Sequence, residues 1–434
     1  MSTLAHYGRR AIGLARTRTA QSSAIIFGGS LVAAIMSFVV AFVTSRLLGP
    51  DDYGRLATAN ALVVIMVGVT DFGISTALVK FTSEKLADKA KVAAFFQSAF
   101  KLELALAALI VLALPLTPLW AQGLGGKSME LPILLGLLAS IFLSLNAYAN
   151  AVLQTYQRFR TMAILNIAAA SLRAGLVVIL ALMAGLNLFQ ALLINLVVAA
   201  VSLVAGLAVI PKTGVKAPAA AQRQALSQML HFGKWLVVSY SLNAVISRLD
   251  VVMLAHFRPA ADVGHYAAAL QLASVMPLLI SSLTTVLVPK VAALPADQTG
   301  SYLRKVLFGA AVAAAGLLPF ILLARPLILL VFGPEYGAAV VPFQLIMTSF
   351  VITLFINPPS LLFYRWNRPK ILTYMNVATS IILVGLFLWL TPLWGPAGAA
   401  AALVINVVIA GILFTALLWR EWQRQVPAEA SGRG

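Results

Sequence analysis

Cysteine is absent from all 434 residues, which excludes a disulfide framework and any thiolate metal site. Acid is scarce as well: 13 Asp and Glu stand against 31 Lys and Arg, and charged residues of both signs make up only 10% of the chain. A soluble domain carries about 25% charged residues, so water cannot be the solvent for most of this surface. The gaps between apolar segments are short, leaving no room for an extracellular catalytic or binding domain. The four histidines, His6, His231, His256 and His265, show no metal-ligand spacing, and no Ser-His-Asp or paired-carboxylate arrangement accompanies them. The expectation is a non-enzyme with no cofactor and no metal site.

What fills the chain instead is hydrophobic residues, 61% of the total. Apolar stretches long enough to cross a core of about 30 Å recur near 22–47, 57–79, 93–119, 131–154, 161–184, 187–210, 231–256, 265–288, 305–324, 337–363, 371–391 and 397–419. About 22 of the 31 Lys and Arg fall in every second gap, about 5 in the other gaps and about 4 inside the segments. That alternation is the charge pattern of a polytopic membrane protein whose basic loops stay cytoplasmic. The formal charge of +18 therefore belongs to topology and implies no nucleic acid. Arg9, Arg10, Arg16 and Arg18 precede a first segment too long for a signal-peptide core, so the N-terminus is read as uncleaved and cytoplasmic. An even number of spans returns the tail, with Arg420, Arg424 and Arg433, to the same side.

The chain repeats itself at a spacing of about 210 residues. Tyr53-Gly54-Arg55-Leu56-Ala57 aligns with Val263-Gly264-His265-Tyr266-Ala267, and Arg158, Arg160 and Asn166 align with Arg368, Lys370 and Asn376. Six spans per copy make a parallel repeat, the kind several secondary transporters use around a central site. The expected organisation is all-α: about 12 transmembrane helices in two six-helix lobes. An N-terminal lobe takes 1–210, a cytoplasmic linker 211–229 (with Lys212, Lys216, Pro218 and Arg223), a C-terminal lobe 230–420 and a cytoplasmic tail 421–434. Duplication that only built a larger bundle is the alternative.

Polar residues inside the spans form stripes. Ser23, Ser30, Ser37 and Thr44 follow one another at seven-residue steps in the first span, which is one face of a helix. In the 210-residue register Ser30 and Ser37 correspond to Tyr240 and Ser247 of the seventh span, which share a face with Asn243 and Asp250. The second span places Asn60, Asp71 and Ser75 on one face, and the eighth places Gln271, Ser274, Ser281 and Thr285. Hydroxyls in membrane helices also bond their own backbone or a neighbouring helix, but four matching stripes point to a shared hydrated cavity.

Four cations lie within spans: Lys101, Arg173, Lys234 and Arg248, against the carboxylates Asp71, Glu103 and Asp250. A charge at the bilayer centre costs at least ~2.5–3.5 kcal/mol, so it faces a cavity or a partner. Lys101 and Glu103, two apart on a helix, point different ways and make a poor pair. The excess of cations reads as a path for an anionic group such as pyrophosphate, which Arg grips by bidentate bonding; packing salt bridges are the alternative. Arg46 and Arg55 read as headgroup or loop contacts at the outer mouth. Pro277, Gly68 and Pro358-Pro359 are candidate hinges. Residues 121–128 fit a loose nucleotide-binding loop, but they join two spans on the outer side, where no strand precedes them, and are read as chance.

Three passages carry a resemblance. Ser45-Arg46-Leu47-Leu48-Gly49-Pro50-Asp51-Asp52-Tyr53-Gly54 resembles the turn after the first span of Wzx-type lipid-linked oligosaccharide flippases, in the polysaccharide-transporter branch of the MOP superfamily. Ser247-Arg248-Leu249-Asp250 with Val263-Gly264-His265-Tyr266 resembles the opening of their second lobe, and Phe332-Gly333-Pro334-Glu335-Tyr336 their segment before span 10. The resemblance implies a V-shaped cavity lined by helices 1, 2, 7 and 8. It also implies the flipping of undecaprenyl-pyrophosphate-linked oligosaccharide for O-antigen or exopolysaccharide biosynthesis, from the cytoplasmic to the periplasmic leaflet of the bacterial inner membrane. Membrane lipids, a polysaccharide polymerase complex and a coupling H⁺ or Na⁺ are the implied partners, with Asp71 as the candidate coupling residue. A multidrug exporter of the same superfamily is the main alternative and predicts a net acidic site. A peptidoglycan-precursor flippase is disfavoured, because that family resembles a 14-span design. The decisive expectation is a wet seam between the lobes, more basic than acidic.

Overall fold

The computed structural model describes the backbone of residues 18–430 except 84, 184, 212–213 and 296–297, and the side chains of 28–423 except those positions and 235, 238–239 and 369. Arg9, Arg10, Arg16, Lys212 and Arg433 lie outside the described residues, as do the side chains of Arg18, Ser23 and Arg424.

The described residues form helices and no strand. In chain order they are α1 (Arg18–Asp71), α2 (Ile74–Ser83), α3 (Lys89–Ala113), α4 (Thr117–Gly123), α5 (Glu130–Thr155), α6 (Phe159–Met183), α7 (Leu188–Val209) and α8 (Ala219–Ile246). They continue as α9 (Leu249–Phe257), α10 (Ala260–Ala273), α11 (Val275–Ala292), α12 (Thr299–Leu322), α13 (Ala324–Phe332), α14 (Val340–Ser360), α15 (Leu362–Arg365) and α16 (Pro369–Ala430). Nine helical stretches among the described residues are long and apolar enough to cross a membrane. Two of them, Gly28–Asp71 and Lys370–Gln423, have 44 and 54 residues, about twice what one crossing takes. Each is broken once, at Gly49 (φ 69°) and at Gly395 (φ 54°). Counting each as two crossings, and adding the less apolar α8–α9, recovers the twelve expected segments.

The sequence writes these breaks as Gly-Pro. Gly49, Gly333 and Gly395 all take positive φ, and Pro50, Pro334 and Pro396 follow them. Glycine ends one helix in a conformation that a Cβ would strain, and proline, which lacks an N–H to donate, starts the next. Other turns use non-glycine residues: Gln157 (φ 55°) and Asn367 (φ 53°) close α5 and α15. The Arg158 N–H reaches the Leu153 carbonyl at 2.9 Å and the Arg368 N–H reaches that of Phe363 at 2.8 Å. These are the same helix-ending bonds, 210 residues apart.

The helices pack as two compact units, residues 1–48 with 58–248 and residues 49–57 with 249–434. This division differs from the repeat boundary, because 211–248 packs with the first unit.

In the first unit, α2, α3, α5 and α8 share a core that includes Leu78, Phe95, Phe96, Val152 and Met229. Phe81 stacks on Phe95 at 5.5 Å, and the Lys80 ammonium sits 3.7 Å over the Phe232 ring. The start of α8 is fastened to α3 by a side-chain network. Gln222 donates to Gln97 Oε1 at 2.9 Å, Gln97 donates to the Val215 carbonyl at 2.8 Å, and Ser98 donates to the Gln222 carbonyl at 2.8 Å.

The second unit has a core of Val291, Leu361, Leu362, Phe363 and Trp366, with Tyr302 donating to the Pro358 carbonyl at 2.8 Å. A second cluster groups Tyr53, Phe332, Tyr336 and His265 by ring contacts. Arg55 is held by Asp51 and Asp52, one turn earlier on its own helix.

Large apolar side chains also face outward. Leu182, Trp389 and Trp419 are exposed, an arrangement that lipid tolerates and water does not.

Candidate functional site

A cavity of about 720 Å³ opens within the first unit, a size typical of small-ligand sites. The last turns of α1, the start of α2, the middle of α5 and the end of α8 surround it. Val63, Val64, Val67 and Leu143 make an apolar wall. The polar lining is Asp71, Thr76, Asn146, Asn150, Tyr240, Asn243 and Ser247.

Close helix contacts shape it. A Cβ on Gly68 would stand 2.3 Å from the Ala244 Cβ, so α1 and α8 touch where glycine removes a side chain. The chain bends between α1 and α2 at Phe72 (φ 49°) and Gly73 (φ 68°), immediately after Asp71. Gly68, expected as a hinge, is thus a packing contact, and the bend lies four residues on. In the eighth span the break falls at Ser274, with Pro277 in the first turn of α11, where a missing N–H costs no bond. Pro358-Pro359 lies in the last turn of α14.

Among the described lining residues Asp71 is the only carboxylate, and none is Lys or Arg. One of its oxygens accepts from Ser75 at 2.5 Å. Tyr240 and Thr76 bond across the mouth at 3.2 Å, and Ser247 donates back to the Ala244 carbonyl at 2.8 Å. The amides of Asn146, Asn150 and Asn243 have no hydrogen-bond partner among the described residues. An amide offers two donors and an acceptor, so these three groups are open to a ligand.

The residues expected to line a cavity therefore separate. Asp71, Tyr240, Asn243 and Ser247 come together here, with Ser75 behind Asp71. Asn60 instead accepts from Asn195 at 3.1 Å. Thr44 turns back on the Val40 carbonyl, Ser281 on that of Leu278, and Thr285 on that of Ser281. Asp250 is buried in the second unit, where it accepts from Tyr266 at 3.0 Å and from the Val251 N–H at 2.8 Å. Ser30, Ser37 and Ser274 are exposed and Gln271 is half-buried.

None of the four span cations lines the pocket. Lys101 donates to the Gln222 side chain at 2.7 Å, and Arg173 has a buried Nε without a partner. Lys234 and Arg248 are exposed. The basic excess expected of a seam between lobes does not describe this pocket.

Sequence reasoning missed Asn146 and Asn150. The two asparagines were legible as amides four residues apart in an otherwise apolar span. Glu103 was counted with Asp71 and Asp250 among the carboxylates available to the span cations, and as a poor partner for Lys101. It is fully buried, with Oε2 3.3 Å from Ser144.

The sequence model of the polysaccharide biosynthesis protein family matches residues 19–295, more than half of the chain. The chain belongs to that family. Every residue that lines the pocket falls inside the matched region.

Solved structures similar to this family member share its fold. Lipid II flippase MurJ in an inward-closed conformation superimposes with a TM-score of 0.71 at 13% identity, over 90% of this chain and 86% of that one. An inward-facing multidrug-resistance MATE transporter of the MOP superfamily gives 0.70 at 14% identity, over 89% and 95%. A MOP superfamily transporter from Pyrococcus furiosus, described as having a binding pocket of reversed polarity, gives 0.60 at 16% over 94% of both chains. No curated protein sequence matches. The chain thus shares its fold with these transporters, that of a multi-pass helical membrane protein.

Proposed function

We propose that this protein flips an undecaprenyl-pyrophosphate-linked oligosaccharide from the cytoplasmic to the periplasmic leaflet of the bacterial inner membrane, by alternating access and without covalent chemistry. The observation that supports the reading is the polysaccharide biosynthesis family match, whose matched region includes the residues lining the amide-rich cavity. Open amides beside an apolar wall suit a sugar, which shows hydroxyls at its rim and C–H groups on its faces. The pyrophosphate needs cations instead, and the exposed Lys234 and Arg248 are the groups assigned to it, together with Arg173. Lys101 is given a fastening role, because its ammonium already holds Gln222. Negative charge moving outward down an inside-negative potential gains ~2.3 kcal/mol per charge per 100 mV. Both termini are assigned to the cytoplasm, and a polymerase on the far side would draw the product away.

Asp71 is the observation that favours a second reading, a cation-coupled exporter, since a lone carboxylate attracts a cation. Two assays separate the readings. Proteoliposomes loaded with fluorescent polyprenyl-pyrophosphate oligosaccharide should show protein-dependent exposure of the label to an outside quencher. Efflux of a lipophilic cation, with no such exposure, is the result that would replace the flippase with the exporter.

A further inference from the structure

The pocket contains one fixed charge, and its sign is unexpected for a carrier of pyrophosphate lipids. Asp71 has no Lys or Arg beside it among the described lining residues, and Ser75 occupies one of its oxygens at 2.5 Å. Around it Asn146, Asn150 and Asn243 present amides with no partner among the described residues. Tyr240 adds a ring and a hydroxyl.

We infer that this pocket is a saccharide subsite selective by charge: it accepts a neutral or amine-bearing sugar unit and rejects a uronate or a phosphate. The inference rests on the flippase reading and names which part of the cargo sits there. Amides bond hydroxyl pairs in either direction, so three of them read a sugar without any charge. An ammonium adds a charge-assisted bond to Asp71, roughly twice as strong as a neutral one. A carboxylate or phosphate would instead meet Asp71 in a largely apolar cavity with no cation to offset the repulsion. The pyrophosphate therefore lies outside this pocket while the sugar occupies it.

The test uses the full chain in nanodiscs, with binding followed by saturation-transfer NMR. The probes are N,N′-diacetylchitobiose, its free diamine, a uronate-containing disaccharide, inorganic pyrophosphate and tetraphenylphosphonium. The expected result is binding of the first two, the diamine about tenfold tighter, with the uronate about tenfold weaker than the neutral sugar and no competition by pyrophosphate. Asp71→Asn should bring amine and uronate within about threefold of each other, and Asn146→Leu with Asn150→Leu should weaken every saccharide about tenfold. If Asp71→Asn fails to fold, the wild-type probe series alone decides the charge rule. Equal binding of uronate and amine, pyrophosphate displacing the neutral sugar, or tetraphenylphosphonium binding where no saccharide does would each overturn the inference. Proteoliposomes keep it distinct from the parent reading. Failure to flip any polyprenyl-linked oligosaccharide overturns the function, whereas flipping of acidic and neutral cargo alike, indifferent to Asp71→Asn, overturns only the subsite.

Discussion

Gly54 and Gly264 each lie flat against the chain that precedes the other. A Cβ on Gly54 would stand 1.8 Å from the Ala260 carbonyl oxygen, and a Cβ on Gly264 would stand 1.9 Å from that of Pro50. The shift of 210 residues carries Pro50 onto Ala260 and Gly54 onto Gly264, so these are one contact made twice. Backbones approach this closely only where no side chain intervenes, and their Cα–H groups can then face carbonyls.

Gly54→Ala and Gly264→Ala should therefore destabilise alike, by about 3 kcal/mol or more, because backbone rather than a flexible side chain must move. Gly309→Ala, with open space around it, should leave stability unchanged or slightly raised. Thermal unfolding in detergent measures all three. A large loss for one crossing glycine and none for the other would contradict the equivalence.

Gln157 and Asn367 test the repeat through strain. Both hold a left-handed conformation at helix ends with matching bonds. Asn tolerates that conformation better than Gln, and Gly adopts it freely. Gln157→Gly should stabilise by about 1 kcal/mol and Asn367→Gly by less, read as shifts in the unfolding midpoint.

Gly206 acts on the pocket from behind. A Cβ there would lie 2.7 Å from Asn146 Oδ1 and 3.1 Å from the Ala149 Cβ. Gly206→Ala should push the Asn146 amide off its position and reduce saccharide binding several-fold while costing under about 1.5 kcal/mol of stability. Gly175→Ala, with open space around it, is the matched control.

Glu103 should carry a proton. Thr70 uses its hydroxyl hydrogen on the Met66 carbonyl at 2.8 Å, and Ser144 uses its own on Thr70 at 3.0 Å. The same Ser144 hydroxyl is also the donor facing Glu103 Oε2 at 3.3 Å, so one hydrogen serves two acceptors and the carboxyl receives at most a shared bond. Its other oxygen is buried without a partner, a position that disfavours a charge. Glu103→Gln should stay within about 1 kcal/mol of wild type and remove an infrared band of a protonated carboxyl, whereas Glu103→Ala should cost about 2–4 kcal/mol. Severe unfolding of Glu103→Gln would mean that the carboxyl is ionised.

Much of this was legible in the residues. Twelve segments were readable because a membrane crossing requires a long unbroken apolar run, and Gly-Pro pairs mark where two crossings join. The repeat register was readable from Arg158 and Arg368, whose amides make equivalent bonds. The polar stripes were readable as faces but not as a cavity. Ser281 and Thr285 lie on the expected stripe, yet they bond their own helix, and periodicity cannot distinguish a hydroxyl that faces a ligand from one that turns back.

Composition and periodicity determined that the chain is all-helical, crosses a membrane about twelve times and is built from a duplicated half, because each is imposed locally by apolar runs and by spacing along one helix. Which polar groups meet was decided only by packing. Asn146 and Asn150 meet Asp71 around one cavity where Gly68 lets α1 close on α8 and Gly206 lets α7 close on α5, while Lys101 turns to Gln222 and Asp250 to Tyr266. A side chain's partner depends on the helix that arrives opposite it, and that helix comes from distant sequence.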